Sequence, residues 1–332
     1  MNVAILGATG MVGREMIKVL EERKFPVETL KLFASARSVG TTVKFNGKDI
    51  KIEEADEHSF TGMNLVFGAV SNEMALEFAP TIVKAGAIFI DNSSAFRMYD
   101  EVPLVIPEIN PEDAFQHKGV IANPNCSTII AMVALHPIQL RYGIKNVVAC
   151  TYQAVSGAGQ EGTQEFLDQI KGSINRKEAI AKVFPQQIAY NVIPWIGSEE
   201  DNGYTSEEMK MRNEGRKILH QADLNVNCTC VRVGVLRSHS IAMTVKTTHE
   251  VDLDQVRKDW AKAPGIGILP DDRSYPTPLD SSDQDLVLVG RLRLDLNHPN
   301  KGISFWCCGD QIRKGAATNA IQIAELFLKK TP

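Results

Sequence analysis

The chain has 332 residues, 44% of them hydrophobic and 23% charged, which excludes disorder, collagen-like repeats and coiled coil as its main architecture and suggests two domains. Against 40 acidic side chains stand 36 basic ones, so a net charge of −4 gives no bulk attraction for nucleic acid or an anionic membrane and leaves room only for a local basic pocket. No apolar run approaches the roughly 18 residues of a membrane span, and the start at Met1-Asn2-Val3 lacks the basic segment of a secretory signal, so a cytoplasmic location with reduced thiols is expected.

In chain order, Val3–Gly7 reads as a buried strand and Met11–Glu22 as an amphipathic helix, followed by strands over Thr29–Ala34 and Leu65–Val70. A helix is expected from about Glu73 to Lys84, stopping at Gly86, then strands at Ala87–Asp91 and Val120–Asn123. This alternation predicts a parallel sheet with crossover helices, and its continuously apolar strands predict cover on both faces. After about residue 145 the texture changes. Asn146–Tyr152, Cys228–Leu236, Ser240–Val251, Leu286–Leu294 and Gly302–Cys308 read as strands, several of them alternating, which predicts a mainly antiparallel sheet. Helices are expected near Gln160–Ile170, Glu207–His220 and Ala316–Lys330, and residues 195–206 and 270–285 read as loops. The fold class is therefore α/β, a doubly wound parallel sheet of the Rossmann type over about residues 1–127, with a second α+β domain over 128–315.

The first strand runs into Gly7-Ala8-Thr9-Gly10-Met11-Val12-Gly13 and then a helix. Glycines at this spacing allow a tight turn, close approach of the backbone to a pyrophosphate, and close helix–strand packing. The helix N-terminus then meets the phosphates with free N–H groups and its dipole. A chain selecting NAD usually carries an acid at the end of the second strand, about 20 residues on. Here the segment is Ala34-Ser35-Ala36-Arg37-Ser38, with two hydroxyls and a guanidinium. That set suits a 2′-phosphate, so NADP is the expected cofactor, read by Ser35, Arg37 and Ser38.

Six cysteines are present, with no CxxC pair and no zinc-site spacing, so no metal is expected. Asn123-Pro124-Asn125-Cys126 lies between a strand and the apolar helical run Ile129–Leu135, which puts Cys126 at a helix N-terminus. Free N–H groups and the dipole there favour a thiolate and can hold an oxyanion.

GATGMVG (7–13), SARSVG (35–40), NSSAFRM with VPLVIPEIN (92–98 and 102–110), NPNCSTI (123–129), TYQAVSGAG (151–159), SEEMKM (206–211), VRVGVLRSHS (231–240) and DQIRKGAA (310–317) follow one another along the chain. In these segments, over almost its whole length, the chain resembles the aspartate-semialdehyde dehydrogenases. N-acetylglutamyl-phosphate reductases share the glycine loop but usually have glycine where Asn125 precedes Cys126, and they act on a substrate without a free amine. A cofactor-sensing protein without chemistry would leave Cys126 and His239 incidental.

The resemblance implies that Cys126 attacks L-aspartyl 4-phosphate and expels phosphate. NADPH then reduces the thioester to aspartate 4-semialdehyde, a step on the way to lysine with diaminopimelate, threonine, methionine and isoleucine. It assigns acid/base work to His239, the side chain type titrating nearest neutrality. Gln153 becomes an orienting amide that also touches substrate. Ser156, Gly157 and Gln311 fall at the nicotinamide end, although the family often has Asn where this chain has Gln311. Arg97 and Lys210 are assigned to phosphate, Glu207 to the amine, Arg232 to the α-carboxylate, and Asn125 to the substrate. Glu207 and Lys210, three apart on one helix, share a face. The resemblance further implies a homodimer built on the second domain, and return of helix 316–330 to the first.

Overall fold

The computed structural model describes residues 1–176, 178–269 and 275–328. Residues 270–274 of the expected loop and the last two residues of the expected helix 316–330 lie outside the described residues. The chain divides into two units, Met1–Asn125 together with the segment from Ala316 onward, and Cys126–Gly315.

The first unit holds strands β1 (Asn2–Leu6), β2 (Thr29–Phe33), β3 (Thr42–Phe45), β4 (Lys48–Glu53), β5 (Leu65–Gly68), β6 (Ile88–Asp91) and β7 (Val120–Ala122), with helices α1 (Met11–Glu22) and α2 (Asn72–Lys84). Their order in the sheet is β3-β4-β2-β1-β5-β6-β7. All neighbours are parallel except β3 and β4. The sheet order turns back at β1, with β2 on one side and β5 on the other, so a crevice opens beyond the carboxyl end of β1. Met16 and Leu20 of α1 and Ile321 and Ala324 of the C-terminal helix Thr318–Leu328 join Val3, Ile5 and Phe67 in one core. The β3–β4 hairpin is absent from the expected elements. Its signal is Asn46-Gly47, both at positive φ (48° and 74°), the pattern of a tight two-residue hairpin turn.

The second unit holds helices α3 (Cys126–Tyr142), α4 (Gly159–Ile174), α5 (Ser206–Ile218), α6 (Leu253–Lys262) and α7 (Pro278–Ser281), with strands β8 (Ile144–Gln153), β9 (Val192–Ile193), β10 (Asn225–Val233), β11 (His239–Thr247), β12 (Ile266–Gly267), β13 (Val287–Leu294) and β14 (Gly302–Gly309). The sheet order is β12-β13-β14-β11-β8-β10-β9. It is mixed and antiparallel-rich, with β8 parallel to β10 and β12 to β13. Helices α3, α5 and α6 pack on it, while Val148 and Tyr152 of β8 stay exposed.

Two expected bounds shift for local reasons. The strand expected to run to Val251 ends at Thr247, because Asp252 caps α6 by accepting the N–H groups of Asp254 and Gln255. Val256 and Trp260 of that helix are buried, and the Trp260 indole donates to the Ala134 carbonyl at 3.0 Å. The C-terminal helix begins at Thr318 rather than Ala316, because a π-turn over Arg313–Ala317 precedes it. Among the described residues no helix is long and apolar enough to cross a membrane, and no group of His, Cys, Asp and Glu is arranged to hold a metal ion.

Candidate active site

In the second unit, β8 and β10 run parallel and bring Gln153 and Arg232 into register at their carboxyl ends. β11 runs antiparallel to β8 and starts at the same end, with His239 as its first residue. The alternation of β10 puts Cys228, Cys230 and Arg232 on its buried face. Cys126 opens α3, and its Sγ lies 3.4 Å from His239 Nε2. The other ring nitrogen, Nδ1, accepts the backbone N–H of Ala154 at 3.0 Å. Arg232 is buried, donates from Nη1 to the Ala154 carbonyl at 2.6 Å and lies over the Phe184 ring.

A second set adjoins these. Gln153 Nε2 donates to Glu207 Oε1 at 3.1 Å, and Lys210 Nζ donates to Glu207 Oε2 at 3.0 Å. Gln153 Oε1 accepts from the buried Thr151 hydroxyl at 3.0 Å, which orients the amide. Glu207 and Lys210 share a face of α5, whose start is fixed by a capping box between Thr205 and Glu208. Glycine is needed at 157: a Cβ there would come 2.7 Å from Arg232 Nη1 and 3.1 Å from His239 Cε1.

The electrostatics separate these groups. Burial first, and then the Arg232 charge, push the His239 pKa down from 6.5 to about 3, with Glu207 opposing. A histidine titrating near neutrality is therefore not what the resting site holds; the imidazole is neutral because it is wholly enclosed. Burial likewise lowers the Arg232 pKa, while the charges of Glu207 and Cys126 work to raise it. Burial pushes up the thiols of Cys150 and Cys307, and that of Cys308 to about 11; the Cys230 thiol is raised by its bond to Cys228 and by burial. Cys230, Cys307 and Cys308 are core thiols, and Cys150 is half-buried. Cys126 is partly exposed and sits at a helix N-terminus beside a histidine.

Gln311, expected at the nicotinamide end, bonds in the structure to two groups of the second unit. Its Oε1 accepts the Ser238 N–H at 2.7 Å and its Nε2 donates to the Ser156 hydroxyl, which in turn donates to the Leu236 carbonyl. Both ends of the amide are thus engaged within the protein, because the longer glutamine side chain reaches across to the Ser238 backbone. Gln311 positions the Ser156 segment and the residue before His239.

The first unit carries the glycine loop. Gly7 has φ +89°, and a Cβ on it would lie 2.2 Å from the Ala69 carbonyl oxygen; one on Gly13 would lie 2.2 Å from that of Gly7. Gly10 precedes α1 and leaves that helix without a side-chain cap. Met11 and Val12 form its first turn, so their N–H groups have no intrahelical acceptor. Ser35, Arg37 and Ser38 lie on the short helical turn after β2, and the Ser38 hydroxyl approaches that of Thr9 at 3.5 Å. Arg37 is exposed. Arg97 is buried and donates to the carbonyls of Asn123 (3.0 Å) and Asn92 (2.8 Å), which anchors the approach to Cys126. Asn125 is buried in the same unit. Thr151, the Ala154 backbone and Ser238 were absent from the expected site; nothing in their residue types marks them.

Family models describe both parts of the chain. A semialdehyde dehydrogenase NAD-binding domain matches residues 2–117, and a semialdehyde dehydrogenase dimerisation domain matches residues 135–314. The aspartate-semialdehyde dehydrogenase of Synechocystis is 46% identical over 99% of this chain and 98% of that protein. That of Bacillus subtilis is 43% identical over 99% of this chain and 98% of its own length. Among solved structures, the aspartate semialdehyde dehydrogenase II of Vibrio cholerae complexed with ASA superposes with a TM-score of 0.97 at 43% identity, covering 100% of this chain and 99% of the other.

Proposed function

The chain belongs to the aspartate-semialdehyde dehydrogenase family of oxidoreductases in amino-acid biosynthesis, and from that premise we propose that it converts L-aspartyl 4-phosphate and NADPH to L-aspartate 4-semialdehyde, phosphate and NADP through a thioester on Cys126. The observation that carries this reading is the 3.4 Å contact between Cys126 Sγ and His239 Nε2, in a site that also holds a buried guanidinium and a buried carboxylate.

The helix N-terminus and the Arg232 charge favour the thiolate of Cys126 and the oxyanion formed when it attacks a carbonyl. Arg232 keeps donors beyond the one spent on Ala154 and takes the substrate α-carboxylate as a two-bond fork. Glu207 takes the substrate ammonium, and Gln153, held by Thr151 and Glu207, orients the reacting group without adding charge. Lys210 takes phosphate. Arg97 serves phosphate as well, from a place where its guanidinium also braces the Asn123 carbonyl; Asn125 completes the substrate contacts.

The residues of the first unit fit a dinucleotide. Gly7, Gly10 and Gly13 let the pyrophosphate approach the backbone, while Thr9, Met11 and Val12 present the helix N-terminus. Arg37, with Ser35 and Ser38, reads the 2′-phosphate and selects NADP. Ser156, Gly157 and Gln311 serve the nicotinamide end, with Gln311 also bonded to the Ser156 hydroxyl. When bound, the nicotinamide supplies the hydride that reduces the thioester.

The working form is a cytoplasmic homodimer; the match to a dimerisation domain and the exposed Val148 and Tyr152 on the second sheet support pairing through it. The product feeds lysine with diaminopimelate, threonine, methionine and isoleucine synthesis. An N-acetylglutamyl-phosphate reductase would leave the Glu207 carboxylate without an ammonium to meet. Phosphate-dependent oxidation of aspartate semialdehyde, run in parallel with NADP and NAD, tests the whole reading. Absence of turnover with either cofactor, or turnover only of the acetylated glutamate semialdehyde, overturns it.

A further inference from the structure

The buried guanidinium of Arg232 has an aromatic floor. Its Cζ stands over the Phe184 ring, 6.0 Å from the centroid. Phe184 is itself buried, in a small cluster with Val155, Phe166, Ile188, Ala189 and Ile193. The ring is carried by segment 180–189, which forms neither strand nor helix and hangs from α4 by two side chains. One oxygen of the Glu165 carboxylate accepts the N–H groups of Lys182 at 2.7 Å and Val183 at 2.6 Å, and the other accepts that of Phe184 at 3.4 Å. Gln169, one turn on, accepts the N–H groups of Ile188 and Ala189 at 2.9 and 3.0 Å. Its amide nitrogen donates to the Ile180 carbonyl at 3.0 Å and to Glu165 at 3.2 Å. Bonds to a carboxylate are charge-assisted, so this attachment is firm. α4 leaves a slot for the ring at Gly162, where a Cβ would come 3.1 Å from Phe184 Cζ. Just beyond the segment, Ile193 of β9 pairs with Arg232 itself.

We propose that Phe184 is a positioning residue for the reaction: its ring fixes the plane of the Arg232 guanidinium for the substrate α-carboxylate, and Glu165 sets the ring by holding the backbone of residues 182–184. The proposal rests on the reading of Arg232 as the carboxylate-binding residue. A guanidinium carries its five N–H donors in its plane, and its face is weakly hydrated, so a ring under the face leaves the donors aimed outward. One of them goes to the Ala154 carbonyl. The ring beneath the face and the carbonyl at the edge together fix both the tilt of the plane and its rotation. A two-bond fork needs two donors aimed in parallel, so a guanidinium that tilts keeps its charge and loses the second bond. Burial works against the Arg232 cation, and the negative face of the ring offsets part of that cost. Phe184 acts through Arg232 and touches no reacting atom.

The test compares full-length Phe184→Leu, Glu165→Gln and Arg232→Leu with the parent. Leucine keeps an apolar side chain in the cluster and removes the aromatic face. Phe184→Leu should raise the KM for aspartate semialdehyde about tenfold, with kcat within about threefold and the KM values for phosphate and NADP unchanged. Glu165→Gln keeps one acceptor oxygen of two and should raise the same KM by a smaller factor. A loss of folded molecules lowers the maximal rate and leaves KM where it was, so that pattern overturns the proposal. A parent-like KM in Phe184→Leu beside a raised KM in Arg232→Leu overturns this proposal alone, whereas a parent-like KM in Arg232→Leu overturns the carboxylate reading. A second measurement needs no turnover. In protein labelled with ¹⁵N at arginine, the Arg232 Nε–Hε signal is assigned by its loss in Arg232→Leu. The ring current of Phe184 should displace it in the parent, and Phe184→Leu should move it. A signal unmoved by Phe184→Leu overturns the proposal whatever the substrate turns out to be.

Discussion

Gln311 accepts the Ser238 backbone N–H at 2.7 Å, and Ser238, one residue before His239, is held in the left-handed region at φ +73°. A non-glycine residue there costs roughly 1–3 kcal/mol and persists only where its surroundings impose it. Gln311 is that imposition, since its other end is fixed on Ser156. Gln311→Leu should therefore destabilise the protein by about 1–3 kcal/mol, because the buried Ser238 N–H loses its acceptor and the Ser156 hydroxyl loses a donor. It should also lower kcat by releasing His239. Ser238→Gly, which adopts the same φ freely, should keep kcat near the parent value. Urea unfolding and steady-state rates on both variants check this; unchanged stability in Gln311→Leu would refute it.

Cys126→Ala should abolish turnover while leaving cofactor affinity unchanged, because a thioester needs the sulfur and the dinucleotide phosphates do not. Among the six cysteines, Cys126 should be the one alkylated at neutral pH, since burial raises the thiols of Cys150, Cys307 and Cys308. Mass mapping after a limiting dose of iodoacetamide identifies the modified residue. Equal labelling of Cys150 would count against a special thiol at Cys126.

The first strand, glycine loop and first helix were legible because three local signals agree: an apolar run, glycines where the backbone must bend, and apolar residues at helical spacing. The β3–β4 hairpin was harder, since its strands are short, charged and mostly exposed. Helix α6 was missed for a related reason, with only Val256 and Trp260 buried among charges; its cap at Asp252 was the readable clue. In the second unit, motif positions lead to Cys126, Gln153, Glu207, Arg232 and His239. The links between them run through backbone groups distant in sequence, such as Ala154 to His239, 85 residues apart. Residue type carries no trace of a backbone hydrogen bond.

Arg37→Ala should raise KM for NADP about ten- to a hundredfold and barely change that for NAD, the size of one lost charge-assisted bond to phosphate. Arg37 is exposed on the turn that follows β2, in a segment with no acid to receive a ribose hydroxyl. Initial rates with each cofactor decide it. An equal rise for both would remove Arg37 as the reader of the 2′-phosphate.

Gly157→Ala should damage catalysis more than folding. The added Cβ meets the end of the Arg232 side chain and the His239 ring, and both can move only by leaving their bonds to Ala154. A displaced Arg232 raises the KM for the semialdehyde, and a displaced imidazole lowers kcat. Melting within a few degrees of the parent, with kcat/KM down about a hundredfold, is expected. Parent-like kcat/KM would show that this close approach has no functional weight.

Enclosure of His239 also makes stability depend on pH in a defined window. The folded-state pKa is near 3 and the unfolded value near 6.5, so between these limits the unfolded chain binds a proton that the folded chain does not. Stability then rises with pH across the window and is lost as pH falls from 6.5 toward 3. His117 and His136, whose pKa values burial also lowers, add slopes of the same sign. Comparison with a variant isolates the part due to His239. In His239→Gln that contribution vanishes, so its unfolding free energy should fall less steeply between about pH 7 and pH 4 than the parent's. Urea titrations at several pH values give the two slopes. Parallel curves would mean that His239 gains a proton readily inside the fold, and the neutral, enclosed imidazole would have to be abandoned.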